Sequence, residues 1–315
     1  MIRRVFALLG GGAALLTFAS CSTFDTDNAA TVNGTDITSD QLDAVRDHIA
    51  DNADQFASAE DLDDAGEAKG DLTRAVLSVL IRNDVARHVL AAAGGTLTDE
   101  QLAEAKTGLG GDDLPEGPAA DALIQRNALG AALDTLPAPD ADQLRSLYDD
   151  QPASTGVVCL QIVSATTKDA IEAAARSLRA GESPATGGDL QSQAACIPVE
   201  QLGGGLAVDD LDLLLNGQPG DVSGLIGPDA SAESPTWTVI RLQPWADAEQ
   251  SLTALFAGTA AADGSTPPTP GQLALAGALV TADVTVSSSY GKWDPLAGGV
   301  VALTPAPEGD AAGAA

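Results

Sequence analysis

The chain has 315 residues, of which 44% are hydrophobic, enough for two modest domains with a buried core. Aromatic residues make up only 3%, so the core is predicted to be aliphatic. Forty-five Asp and Glu residues against 15 Lys and Arg residues give a net charge of −30, which argues against nucleic acid and anionic lipid as partners. The acidic residues are scattered without calcium-loop spacing and are interpreted as a solvated surface.

The first 20 residues have the pattern of a signal peptide. Two arginines precede an apolar run, 5–18, that is too short for a comfortable membrane span. The sequence LTFASC at 16–21 resembles a bacterial lipobox, which implies that Cys21 is lipidated and that 21–29 form a tether. An ordinary signal peptide followed by an unrelated cysteine is the alternative. The predicted location is extracytoplasmic, with a lipid anchor in a bacterial cell membrane.

Residues 30–150 have the signals of a hairpin followed by helices. Asn33-Gly34 predicts a tight turn between two short strands. The strongest helix is predicted over 71–93, with Asp84 on its polar side, and another over 122–136. Three helix N-caps, each with a glutamine three residues later that reaches back, are predicted at Thr38 with Gln41, Thr98 with Gln101 and Asp140 with Gln143.

Residues 151–245 contain strand and helix signals in a specific order. An apolar run predicts a strand at 157–163, helical spacing follows at 167–179, and a closing strand is predicted at 237–242. Between them lie the sequences GGDL at 187–190 and PGDVSG at 219–224. In this order the pieces resemble a parvulin-type (PpiC) peptidyl-prolyl isomerase domain.

Residues 246–303 are predicted to return to helix and strand. Helices are expected over 248–257 and 271–281, a strand over 282–286, and a flexible stretch over 259–270. The sequence YGKWDP at 290–295 resembles the C-terminal signature of SurA- and PrsA-type extracytoplasmic foldases, whose N-terminal domain the pattern of 30–150 also resembles.

The resemblance implies an α+β fold. A mainly helical SurA-N-like chaperone domain would be formed by the N- and C-terminal segments, and the parvulin-like domain would be inserted around a small antiparallel sheet. Residues 304–315 are expected to be a disordered tail.

The isomerase chemistry expected from the resemblance is missing from the sequence. Parvulins are understood to twist the prolyl amide with two histidines and a cysteine or aspartate beneath an apolar pocket. The first histidine falls at Leu160 or Gln161 and the second at Thr238, while the pocket methionine and phenylalanine fall at Ala207 and Leu211. Because such groups act as a unit, weak or no isomerase activity is predicted. A residual peptide-binding role is assigned to Leu160, Leu206, Leu211, Leu215 and Thr238.

The histidines and cysteines suggest no cofactor. His48 and His88 lie outside the parvulin-like segment without metal-ligand spacing, and both are interpreted as surface residues. No metal or other cofactor is expected. Cys159 and Cys196 are predicted to form a disulfide, since two cysteines in one small exported domain usually pair. A reactive thiol in place of the family's cysteine is the alternative.

The predicted function is a membrane-anchored extracytoplasmic folding factor. Its expected partners are unfolded or proline-containing secreted polypeptides. Two alternatives stay open: an active parvulin-type isomerase with an altered pocket, and an envelope lipoprotein that binds one dedicated partner.

Overall fold

A computed structural model describes residues 27–56, 69–184, 187–202, 208–227, 236–258 and 267–303. These residues form an α+β fold of helices and small antiparallel sheets. The helices are α1 (Ser39–Asp51), α2 (Ala53–Phe56), α3 (Lys69–Ala92), α4 (Asp99–Gly108), α5 (Pro118–Asp134), α6 (Ala141–Asp150), α7 (Lys168–Arg179), α8 (Val208–Asn216), α9 (Trp245–Phe256) and α10 (Pro270–Thr281). The strands are β1 (Asn28–Val32), β2 (Thr35–Thr38), β3 (Val157–Ala165), β4 (Gln191–Pro198), β5 (Trp237–Leu242), β6 (Val284–Val286), β7 (Lys292–Asp294) and β8 (Gly299–Val301).

Some predictions fall outside the described residues. These are the signal peptide 1–20, the lipidation of Cys21, most of the tether 21–29, the binding residue Leu206, the pocket position Ala207, residues 259–266 of the stretch predicted to be flexible, and the tail 304–315.

Strand β1 joins the two ends of the described chain. The predicted hairpin is confirmed, and its turn has positive φ at both Asn33 (48°) and Gly34 (82°). On its other side β1 pairs antiparallel with β6, which gives a sheet of order β2-β1-β6. The Asn33 N–H donates to the Asp283 carbonyl (2.8 Å), and the Asp283 N–H donates to the Asn33 side-chain oxygen (3.0 Å). The C-terminal segment therefore completes the sheet that the N-terminal hairpin begins.

Helix α3 lies at the centre of the helical part, and the core around it is aliphatic as predicted. Residues of β1, α1, α3, α10 and β8 contribute to one buried cluster. The assignment of Asp84 to the polar side of α3 is wrong, because Asp84 is only 4% exposed. Its carboxylate pairs with Arg87 at 2.9 Å, and the neighbouring Asn83 donates to the Ala122 carbonyl at 2.9 Å. Since α5 and α10 also pack on α3, little of this helix remains for solvent.

The helix caps depend on local sequence and are largely as predicted. The reciprocal caps at Thr98 and Asp140 are both present. At Thr38 only the first half forms: the Gln41 N–H donates to the Thr38 hydroxyl at 3.1 Å. A further reciprocal cap, Thr269 with Gln272, begins α10. The end of the stretch predicted to be flexible, 267–270, is therefore an ordered helix start, because the cap satisfies N–H groups at the first turn.

The second sheet has the order β4-β3-β5, with all pairs antiparallel. The predicted β3, α7 and β5 are confirmed, and residues 222–226 add two isolated bridges along the outer side of β5. Helix α7 packs on one face and α8 on the other. A short 3-10 helix, Pro152–Thr155, leads into β3. Its contact with α10 is so close that a Cβ added at Gly277 would meet the Ser154 carbonyl.

Candidate functional site

The candidate site is the face of the second sheet that lies under α8. Side chains alternate along a strand, so even-numbered residues of β3 share one face. The register pairs Leu160 with Leu242 and Ser164 with Thr238, which puts Leu160 and Thr238 on this same face. They are separated by four residues along the sheet, or about 13 Å. Gln161, the other position considered for the first histidine, points to the opposite face.

The centre of this face is a closed aliphatic core. Leu160 is 2% exposed and Leu214 of α8 is fully buried, both within one cluster. The predicted binding residues Leu211, Leu215 and Thr238 are each half-buried, and Leu215 packs against that core. The inner faces of β3 and β5 carry Val158, Leu160, Ile162, Ser164, Thr238, Ile240 and Leu242. None of these has an ionisable side chain, so the face provides apolar contact and two hydroxyls without an acid or base.

The opposite face holds the disulfide. Cys159 and Cys196 are directly paired across β3 and β4 and are bonded to each other, which confirms the prediction. Nearby, the Tyr148 hydroxyl donates to the Gln243 carbonyl (2.7 Å), and burial raises the pKa of this phenol well above its usual value. The Gln243 side chain in turn donates to the Leu160 carbonyl (2.9 Å). These contacts fix α6 and the residue after β5 to the sheet.

Sequence reasoning did not identify Arg241 as a buried group. Arg241 is 8% exposed, and within the described residues its Nε has no hydrogen-bond partner. Its only sequence signal is one charge within the apolar run of β5. The guanidinium group has hydrogen-bond donors and no acceptor, so it adds no base to the candidate site.

His48, interpreted from the sequence as a surface residue, is half-buried. Its ring packs edge-to-face on Phe56, with centroids 5.7 Å apart, and Nε2 donates to the Glu116 carbonyl at 3.0 Å. Its Nδ1 is buried and has no partner among the described residues. The chain after α4 folds back onto α1, and a Cβ added at Gly117 would meet the ring. This contact spans 68 residues and has no local sequence signal.

His88 is an exposed residue, as predicted. Its Nδ1 donates to the Asp84 carbonyl at 2.8 Å.

Within the described ranges, no group of three His, Cys, Asp or Glu side chains is placed to hold a metal ion. No helix in that part of the chain is long and apolar enough to cross a membrane.

Several clefts border the helical part of the described structure. The first, here called the α1–α3–α5 cleft, has a volume of about 370 Å³ and an apolar lining of Ala44, Val45, Leu80, Pro118 and Ala122. The second, here called the junction cleft, has a volume of about 420 Å³ and lies between α10 and the 3-10 helix Val199–Gln201. Large apolar side chains that are exposed in the described structure are limited to Leu147 and Leu303. On the surface that the structure describes, the places for apolar contact with a partner are therefore small recesses.

The fold and the site define an α+β protein that carries a three-stranded antiparallel sheet unit whose candidate face lacks ionisable groups. No protein-family model matches the chain, and no curated protein matches it. Among solved structures, the foldase protein PrsA from Lactococcus lactis, a crystal structure at 3.10 Å resolution, is similar to it. The identity is 14%, over 83% of this chain and 95% of that one, with a TM-score of 0.25. A TM-score this low supports no conclusion about this chain.

Proposed function

We propose that the protein is a membrane-anchored extracytoplasmic folding factor that binds unfolded secreted or envelope polypeptides. The observation that supports this most is how the chain is organised. The first described strand, β1, pairs with β6 of the C-terminal segment, and the sheet unit that follows α6 lies between these two strands in sequence. This is the arrangement implied by the resemblance of the sequence to SurA- and PrsA-type foldases.

The sheet unit is proposed to have lost most prolyl isomerase activity. Rotation about a prolyl bond has a barrier of roughly 18–20 kcal/mol, so catalysis needs groups placed to stabilise the twisted amide. Ser164 and Thr238 are the polar residues on the inner faces of β3 and β5. Two hydroxyls next to a closed aliphatic core supply neither imidazole nor carboxylate. The active-isomerase alternative is tested by a protease-coupled assay on a proline peptide, in which efficient turnover would contradict the proposal.

The α1–α3–α5 cleft is the proposed site of apolar contact with clients. Its lining is mainly alanine, valine, leucine and proline, with Gln41, Asp121 and Gln125 as the polar members. A shallow apolar recess binds many sequences weakly, which is what a folding factor requires. Asp121 is the one charged residue of its lining, so the cleft has little that would select a particular client side chain.

The test is suppression of aggregation. Heat-unfolded citrate synthase is followed by light scattering with the chain from residue 21 onward, carrying Cys21→Ser to prevent lipidation. Ala44→Trp fills the cleft from an exposed position on α1 and is expected to reduce suppression severalfold. Ala50→Trp, exposed on the same helix and absent from the cleft lining, is the matched control. Equal suppression by both variants would remove the cleft from the proposal.

A dedicated envelope lipoprotein is the second candidate. It is favoured by the scarcity of exposed large apolar side chains in the described structure. A general holdase usually offers a wider apolar surface than this. If a tenfold excess of the unmodified chain suppresses aggregation of neither citrate synthase nor rhodanese, the general folding role is wrong and the dedicated binder is preferred.

A further inference from the structure

The outer edge of β4 has hydrogen-bonding groups that face away from the sheet. The Gln243 N–H donates to the Cys159 carbonyl (2.9 Å), so odd-numbered residues of β3 bond toward β5. On β5, Thr238 and Ile226 exchange main-chain hydrogen bonds (3.0 and 2.8 Å) on the side of β5 away from β3. Even-numbered residues of β5 therefore bond away from β3 and odd-numbered ones toward it, in agreement with the Gln243–Cys159 bond. Even-numbered residues of β3 therefore bond toward β4.

The register then identifies which β4 residues face outward. Leu160 pairs with Ala195 and Ile162 with Gln193, so these β4 residues bond inward to β3. Ala194 lies between Gln193 and Ala195, and Ser192 comes directly before Gln193. Both Ser192 and Ala194 therefore direct their N–H and C=O groups away from the sheet. Both residues are exposed. In the part of the chain that the structure describes, no strand pairs with this edge.

This edge lacks the usual features that prevent strand addition. Natural edge strands carry charges, internal prolines or bulges that block a further strand. The sequence of β4, QSQAACIP, has no charged residue, and its proline is the last residue. Its eight pairs with β3 run without a register shift, and the Cys159–Cys196 disulfide fixes that register. The edge is therefore continuous, without a bulge, and held in one register.

We propose that β4 binds an extended segment of an unfolded polypeptide as an added strand. This inference rests on the proposed folding function and names a binding site for it. Main-chain hydrogen bonds depend little on side chains, so strand addition accepts many sequences. Asp189 precedes β4 and Glu200 follows it, both exposed, so segments with Lys or Arg at their ends are preferred. A second copy of the chain is disfavoured because each copy carries a net charge of −30.

Hydrogen exchange at single amides tests this placement. The probe is an acetylated peptide, Lys-Thr-Val-Thr-Val-Thr-Lys, added to the ¹⁵N-labelled chain from residue 21 with Cys21→Ser. Binding is expected to slow exchange at Ser192 and Ala194 at least fivefold. The same peptide with alternate backbone nitrogens methylated is the control, and it is expected to leave both rates unchanged because it cannot pair.

A variant pair provides a second test. Ala194→Pro removes one outward N–H and leaves the inward bonds of Gln193 and Ala195, since proline is tolerated on the open side of an edge strand. It is expected to weaken peptide binding at least tenfold. Ala194→Val keeps the N–H and is expected to bind within twofold of the unmodified chain. Slow exchange at Gln193 in both variants shows that β4 still pairs with β3.

The outcomes separate this inference from the proposed function. Binding of the peptide, or of reduced carboxymethylated α-lactalbumin, without slower exchange at Ser192 and Ala194 would overturn the strand-addition site and leave the folding function standing. No binding of either probe would overturn both. Protection of the two amides that grows with protein concentration alone would assign the edge to a second copy and overturn the inference.

Discussion

Reduction of the Cys159–Cys196 disulfide is predicted to destabilise the protein strongly. The two cysteines are 37 positions apart in sequence, and they close a loop that contains α7 and most of β4. In the unfolded chain this link removes conformational freedom that reduction restores. The chain-entropy relation for a loop of this length gives about 4 kcal/mol of stabilisation at 25 °C.

Urea unfolding followed by far-UV circular dichroism measures the effect. Comparing the oxidised and reduced chain is cleaner than comparing mutants, because reduction leaves the packing of the buried Cys159 almost unchanged. Both measurements use the Cys21→Ser chain, so that no third thiol exchanges with the pair. The double variant Cys159→Ala with Cys196→Ala is the control, and its unfolding should not respond to the reductant.

Two results would refute the reasoning behind this prediction. A loss of less than about 1 kcal/mol on full reduction would show that the link constrains the unfolded chain little, contrary to the chain-entropy relation. Two free thiols in the untreated protein, detected by mass spectrometry after alkylation without reductant, would show that the bond is absent.

Four substitutions are predicted to change the free energy of unfolding, each measured by urea denaturation. Gly277→Ala forces a methyl group against the Ser154 carbonyl and should cost about 2 kcal/mol or more, whereas Gly130→Ala, which meets nothing within 4 Å on helix α5, should stabilise by up to about 1 kcal/mol. Thr269→Ala removes the N-cap of α10 and should cost about 1 kcal/mol. Tyr148→Phe removes the hydrogen bond to Gln243 and should cost about 1–3 kcal/mol at neutral pH. Folding raises the pKa of Tyr148, so the free energy of unfolding should fall as the pH rises above about 10, where this phenol ionises in the unfolded chain. The fall should be smaller in the Tyr148→Phe variant.

Features set by neighbours in sequence were predictable. The Asn33-Gly34 turn and the caps at Thr98 and Asp140 each depend on four or fewer consecutive residues, and all three are present. The strand β3 and the helix α7 also follow from their own hydrophobic periodicity. Strand β4 was missed because its small and polar residues do not alternate, so that only pairing with β3 identifies it as a strand.

Features set by distant contacts were not predictable. Asp84 is buried because other helices cover α3, and His48 is half-buried because the chain before α5 returns to α1. The candidate site is a similar case. Alignment places the two parvulin histidines at Leu160 and Thr238. Only the strand register shows that these two positions are four residues apart along the sheet. A shift of one residue in register would have changed the face on which each lies.

The pairing of β1 with β6 has a consequence for the order in which the chain folds as it is synthesised. The bonds between Asn33 and Asp283 join residues 250 positions apart, so the hairpin, which is synthesised early, has no third strand until nearly the whole chain has been made. The β4-β3-β5 sheet lies within a much shorter span and gains its partners sooner. The helical part is then the last to close, and for that interval its own unfinished core needs protection from the aggregation that the finished protein is proposed to prevent in others.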